Sequence, residues 1–287
     1  MRFYTIEIDL KEQVAVENNK GNLLKLSDLG IDVLNMNDLI ERYDVLKDRI
    51  RDNLAVCTNE LGKDKVKILA PIPVPKQDVI CLGVNYREHI DETKEVIDFT
   101  KKDDTVYFSK RVNRANDPDG IIPVYDFVDS LDYEVELGVI LKKDAFGVDK
   151  SKAMDYVFGY TIINDVSARN LQLRHQQWYR GKSLDGYTPM GPCIVTADEI
   201  ENVHDLEISC SVNGQMRQSS NTGLMITTVE EAISELSMGM TLKAGTIIAT
   251  GTPGGVAMGM KPPVFLQSGD VVRCNIQGLG ELVNVCK

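Results

Sequence analysis

Between residues 78 and 276 the chain passes through short Val- and Ile-rich segments bounded by Gly, Pro, Asn or Asp, and these constrain its fold more than any other feature. They lie at 78–84, 105–109, 132–141, 156–164, 191–196, 205–212, 246–250 and 270–276, and their lengths and boundaries predict strands. Helical spacing falls near 87–100, 149–155, 167–176 and 228–239, so helices and strands do not alternate regularly. A Rossmann-type domain requires that alternation, and neither a GxGxxG nor a P-loop sequence occurs. The expected architecture is therefore α+β, built on a rolled or barrel-like mixed sheet.

The first 70 residues differ in texture. Residues 2–8 alternate, which predicts a strand with Tyr4, Ile6 and Ile8 on one face. Asn37 is expected to cap a helix on which Leu39, Tyr43, Leu46 and Ile50 recur at helical spacing. The stretch Pro71-Ile-Pro-Val-Pro75 then ends regular structure, because proline lacks a donor and restricts the residue before it. The expected division is a small N-terminal α/β domain over 1–70 and a larger domain over 71–287.

Composition excludes several functions. A net charge of −11 argues against a nucleic-acid partner, which needs basic patches. No apolar run approaches the ~20 residues of a membrane span, and residues 1–10 interleave charge too closely for a signal peptide. The six cysteines are scattered, with neither zinc-finger spacing nor a disulfide framework, which fits a reduced, cytoplasmic protein.

Chemistry enters with Leu131-Asp-Tyr-Glu-Val-Glu-Leu-Gly-Val-Ile-Leu141. On a strand, Glu134 and Glu136 share the face opposite Tyr133, Val135 and Leu137. Two adjacent carboxylates repel, and a divalent cation would relieve them; a solvated acidic face is the competing reading. A second apolar strand ends in Asn164-Asp165, where Asp165 is either a third ligand or the cap of a following helix. Three carboxylates suit magnesium, with manganese almost as good, and the absence of histidine and cysteine from the set disfavours zinc. His89 and Glu92, three apart, would share one helical face as a base and its orienting carboxylate, or else form a surface pair.

Taken in order, Gly83-Val-Asn-Tyr-Arg-Glu-His-Ile-Asp-Glu92, Phe108-Ser-Lys110, Asp132-Tyr-Glu-Val-Glu-Leu-Gly138, Gly159-Tyr-Thr-Ile-Ile-Asn-Asp-Val-Ser-Ala-Arg169, Gly181-Lys-Ser183, Pro189-Met-Gly-Pro192 and Ala249-Thr-Gly-Thr-Pro253 resemble the fumarylacetoacetate hydrolase family. The resemblance spans nearly all of 75–287. It implies a mixed β-roll core, a homodimer, and a magnesium or manganese ion on Glu134, Glu136 and Asp165. It also implies a catalytic His89–Glu92 dyad, an active-site Lys182, and a pocket lined by Arg169, Gln172, Thr250 and Lys110. Many relatives follow that lysine with proline, whereas Arg111 follows here. Arg169 and Gln172 are expected on one helical face with Asp165. The charged run from Asp91 to Asp104 reads as a lid or as a solvated helix. Thr250-Gly-Thr-Pro-Gly-Gly255 reads as an anion-binding turn or a plain one, and His175 and His204 are expected to be structural.

The expected reaction is hydrolysis of a C–C bond in an acylpyruvate such as fumarylpyruvate or acetylpyruvate, through an enolate held by the metal. Decarboxylation of oxaloacetate or a related 2-oxo diacid, and isomerisation of an unsaturated one, use the same ligands. A ligand-binding relative without turnover is the third reading. Contacts to the distal part of the substrate are expected from 111–118, 174–180 and the residues after Gly255.

Overall fold

The computed structural model describes residues 1–96 and 104–287. The chain opens with β1 (Arg2–Ile8), β2 (Lys11–Glu17) and β3 (Leu23–Lys25), followed by helix α1 (Met36–Leu54) and β4 (Lys67–Leu69). Then come β5 (Val79–Gly83), α2 (Arg87–Thr93), β6 (Val106–Lys110), β7 (Ile121–Ile122), β8 (Leu131–Asp132), β9 (Val135–Leu141), β10 (Val157–Asn164) and β11 (Ser167–Ala168). Short helices α3 (Arg169–Arg174) and α4 (Tyr179–Lys182) lead to β12 (Met190–Thr196), β13 (Glu207–Val212) and β14 (Gln215–Asn221). Helix α5 (Val229–Ser237), β15 (Ile247–Ala249), β16 (Val271–Ile276) and β17 (Gly280–Cys286) complete the chain.

The strands form a 10-stranded sheet ordered β3-β2-β1-β12-β10-β9-β15-β5-β6, with β4 also on β1, and a five-stranded sheet ordered β14-β13-β16-β17-β7. Both are mixed: β15 runs parallel to β5, and β17 parallel to β7, within otherwise antiparallel ladders. The result is the expected α+β fold on mixed sheets. Two apolar clusters lie on either side of the large sheet. One joins Ile6, Leu137 and Ile162 to Ile208, Cys274 and Leu282 of the small sheet. The other joins Phe3, Ile140 and Ile194 to Leu39, Tyr43 and Ile50 of α1.

This layering bears out one expectation about the N-terminal segment and corrects another. β1 is the expected strand with Tyr4, Ile6 and Ile8 on one face, and its other face is covered too, so that Phe3, Tyr4, Thr5 and Ile6 are all buried. Phe3 points toward α1, stacking on Phe158 and meeting Tyr43 edge-on, while Tyr4 and Ile6 join the inter-sheet core. The helix is capped by Asn35, whose side chain accepts from the Asp38 N–H, and Asn37 instead donates to the Val74 carbonyl. Starting the helix at Met36 buries that side chain beneath it. The 1–70 segment shares the large sheet with the rest of the chain, since β1 pairs with β12. Among the described residues no helix is long and apolar enough to cross a membrane.

Candidate metal centre and active site

The site is made by the antiparallel register of β9 and β10. Ile163 stands opposite Glu136 and Asn164 opposite Val135. One step further, the Asp165 N–H donates to the Glu134 carbonyl at 2.8 Å, and the Asn164 side chain accepts from the Glu134 N–H. Carboxylate oxygens of Glu134, Glu136 and Asp165 consequently lie within 4.8 Å of one another. At 4% and 1% exposure, Glu134 and Glu136 do not form a solvated acidic face. Nor does Asp165 cap a helix. β11 intervenes, and α3 begins at Arg169, so Arg169 and Gln172 share no helical face with Asp165.

Buried cations surround the trio. Lys182 Nζ lies 2.6 Å from Glu134 Oε2 and 2.7 Å from Asp165 Oδ2. Lys110 Nζ holds the other Asp165 oxygen and donates to the carbonyls of Tyr187 at 2.6 Å and Val166 at 3.2 Å. Arg169 places Nη2 2.6 Å from Glu134 Oε1 and Nε 2.9 Å from Asp132 Oδ2, and its Nη1 donates to Gln172. Burial opposes ionisation of Glu134, but Lys182, Arg169 and His89 together hold its carboxyl well below the ordinary range. Burial likewise works against Lys182, yet Asp165 and Glu134 keep it protonated.

Charge counting then isolates Glu136. Among the described residues, four buried carboxylates (Asp132, Glu134, Glu136, Asp165) face three buried cations (Lys110, Arg169, Lys182), a deficit of one positive charge. The deficit falls on Glu136, which accepts from the Gly251 N–H at 2.9 Å. Burial first, then the neighbouring Asp165 and Glu134 charges, push its carboxyl well above the usual range. A dication fits this arrangement: the donors are hard carboxylate oxygens, and the Lys182 ammonium already marks the point where two of them converge. Adding two charges would turn the cluster from −1 to +1 and so favour an anionic substrate.

Asp132 was missed in the sequence, although it continues the every-second-residue acidic series of Glu134 and Glu136. It is fully buried; besides Arg169 Nε it accepts from the N–H groups of Tyr133, Ala257 and Met258. It thereby orients Arg169 and pins the turn beyond Gly255. Asp132→Ala would leave the Arg169 guanidinium without one of its partners and two loop N–H groups unpaired, and is expected to cost about 3–5 kcal/mol in urea unfolding.

The second functional group enters from β5. After Gly83 the backbone turns at Val84, held at φ +51, a conformation that β-branched residues rarely adopt. Asn85 secures the turn, accepting from the Thr227 N–H and donating to the carbonyls of Thr227 and Thr250. α2 then presents buried His89, whose Nδ1 is 2.9 Å from Glu92 Oε1. The other Glu92 oxygen accepts from the Gly255 N–H at 2.7 Å. Gly255 has φ +106, and a Cβ there would lie 2.0 Å from the Arg217 carbonyl oxygen. Gly255→Ala is therefore expected to destabilise the protein by at least about 2 kcal/mol and to lower kcat by loosening Glu92, as thermal unfolding and steady-state rates would show. The expected lid falls partly on 97–103, outside the described residues.

His89, Glu134, Glu136, Arg169, Gln172 and Lys182 face one cavity, about 370 Å³ including its mouth, with Leu82, Phe108, Trp178 and Met258 as apolar walls. Lys110 and Thr250 are not among its lining residues; the Thr250 hydroxyl donates to the Leu137 carbonyl. Thr252, two residues on, does line the cavity. His175 is exposed, and His204 pairs with Glu230 at 2.8 Å.

Residues 78–287 match the model of the fumarylacetoacetate (FAA) hydrolase C-terminal family. The chain belongs to the fumarylacetoacetate hydrolase family. It is accordingly an enzyme of a group whose members are metal-dependent and act on oxo acids. Oxaloacetate tautomerase YisK of Bacillus subtilis is 44% identical over 232 residues, covering 79% of this chain and 76% of the relative. Fumarylacetoacetate hydrolase from Exiguobacterium antarcticum superposes with a TM-score of 0.85 at 39% identity, covering 100% of this chain and 99% of that one. Maleylpyruvate hydrolase from Sphingobium sp. SYK-6, in complex with manganese(II) and pyruvate, has a TM-score of 0.80 at 25% identity, covering 100% and 98%.

Proposed function

We propose that this family member tautomerises a short 2-oxo diacid of the oxaloacetate type, with magnesium, or manganese in its place, held by Glu134, Glu136 and Asp165. One observation carries the reading: His89, paired with Glu92, lines the same cavity as Glu134, Glu136 and Lys182, and Asp165 meets that group from behind through Lys182. The 44% identity to an oxaloacetate tautomerase supports the choice of substrate. When bound, the ion supplies Lewis-acid polarisation of the 2-oxo group.

The chain's own residues do the rest. His89 Nε2 takes a proton from the carbon beside the carbonyl, or from the enol, and returns it at the other position. Glu92 fixes the ring through Nδ1 and supports the imidazolium that forms. Lys182 offers an ammonium to the oxyanion that develops on the former carbonyl. Arg169 and Gln172 bind the substrate's carboxylates from the same cavity. Lys110 and Thr250 act from behind, Lys110 by holding Asp165 and Thr250 by holding the Leu137 carbonyl. Under the same reading the enzyme is a cytoplasmic homodimer.

Hydrolysis of an acylpyruvate is the second reading, favoured by the same dyad, which can equally activate water against a carbonyl carbon. The decisive assay follows the enol absorbance of oxaloacetate, and separately pyruvate release from oxaloacetate and acetylpyruvate, with magnesium and with a chelator. Metal-dependent loss of enol without pyruvate supports tautomerisation. Pyruvate with carbon dioxide, or pyruvate with acetate, would replace it by decarboxylation or hydrolysis respectively.

A further inference from the structure

Polar groups of the cavity account for the 2-oxo group and carboxylates of a short substrate and leave the space beyond its C4 unassigned. There the wall is aromatic. Trp178, the only tryptophan of the chain, caps α4, and the Lys182 N–H donates to its carbonyl at 3.2 Å. Its ring meets Phe108 edge-on at 5.2 Å, and Lys182 Nζ lies 5.3 Å from the centre of that same Phe108 ring. The indole is seated against Gly83: a Cβ at that position would come within 2.5 Å of Trp178 Cζ3. The indole thus takes up space that only a glycine leaves open, and it does so on the turn that delivers Lys182.

The geometry points to Trp178 as the residue that limits substrate length, by filling the space a substituent beyond C4 of a 2-oxo acid would need. This rests on the proposed 2-oxo acid reading of the site. A rigid ring packed between Gly83 and Phe108 cannot retreat as a flexible side chain would, so each added carbon meets a wall. Truncating the ring opens the cavity beside Phe108 and leaves the carboxylate trio and the dyad untouched.

The test is calorimetric binding of pyruvate, 2-oxobutyrate, 2-oxovalerate and 2-oxohexanoate to the magnesium-loaded full chain, alongside its tryptophan emission. Wild-type affinity should fall at least roughly tenfold between 2-oxobutyrate and 2-oxohexanoate, and pyruvate should shift the emission. Trp178→Ala should abolish that fall. Trp178→Phe, which keeps an aromatic ring on Gly83 and so guards against misfolding, should reduce it. An equal fall in wild type and both variants, equal wild-type affinity for all four acids, or unmoved emission on binding would overturn the assignment of Trp178. Failure of the wild type to bind any of the four would instead sink the 2-oxo acid reading, and this inference with it.

Discussion

Glu136→Gln should lower turnover by at least about 10³-fold while leaving the metal-free protein as stable as wild type or more so. The two halves of this result come from the same charge count. Among the described residues Glu136 is the buried carboxylate with no cation of its own, and burial together with Asp165 and Glu134 raises its pKa. The amide removes a repulsion from the metal-free state and still accepts from Gly251, but gives a dication one charge fewer to bind. Thermal unfolding with and without magnesium reads both effects, since a ligand that binds only the folded state raises Tm by mass action. Wild type should gain stability from the ion and Glu136→Gln should not. Glu134→Gln makes the contrast: both of its oxygens meet buried cations, so the metal-free variant should lose about 3–5 kcal/mol. A Glu136→Gln protein as destabilised as Glu134→Gln would show that the deficit had been assigned to the wrong residue.

The second large effect is expected at His89. His89→Gln should lower kcat by about 10²–10⁴-fold, the usual worth of a positioned proton carrier, and leave magnesium affinity within a few-fold of wild type. His89 touches Glu92 rather than the acidic trio in the hydrogen-bond network, so the two functions should separate. Glu92→Gln should weaken kcat less, because the amide can still take the Gly255 N–H and keep the loop in place. Calorimetric titration of magnesium beside steady-state kinetics on each variant checks the separation. Loss of metal affinity in His89→Gln would contradict it.

The acidic trio and the dyad were legible in the sequence because each depends on local spacing. Glu134 and Glu136 are two apart, His89 and Glu92 three apart, and Asp165 closes an apolar strand that is the antiparallel partner of theirs. What spacing cannot convey is how many neighbours a strand has. The alternation of β1 identifies a strand and one of its faces, but not that β2, β4 and β12 pair with it or that helix and sheet cover both of its faces. β14 and the hairpin partner β17 escaped notice because Gln215-Met-Arg-Gln-Ser-Ser-Asn221 is polar and Gly280-Glu-Leu-Val-Asn-Val-Cys286 opens on glycine and glutamate. Their pairing comes from backbone bonds to β13 and β16. Asp132 was overlooked for a related reason: its four partners come from residues 133, 169, 257 and 258, three of them remote in the chain. Asn35 and Asn37 flank Met36 and are equally good caps by composition; the choice between them is made by burial of Met36 under α1.

The shared dication is tested most directly by anomalous diffraction from crystals grown with manganese. A single strong peak is expected at about 2.0–2.3 Å from oxygens of Glu134, Glu136 and Asp165, with the Lys182 ammonium moved out from between Glu134 and Asp165. A peak bound elsewhere, or Lys182 still bridging those two carboxylates with no peak beside them, would contradict it.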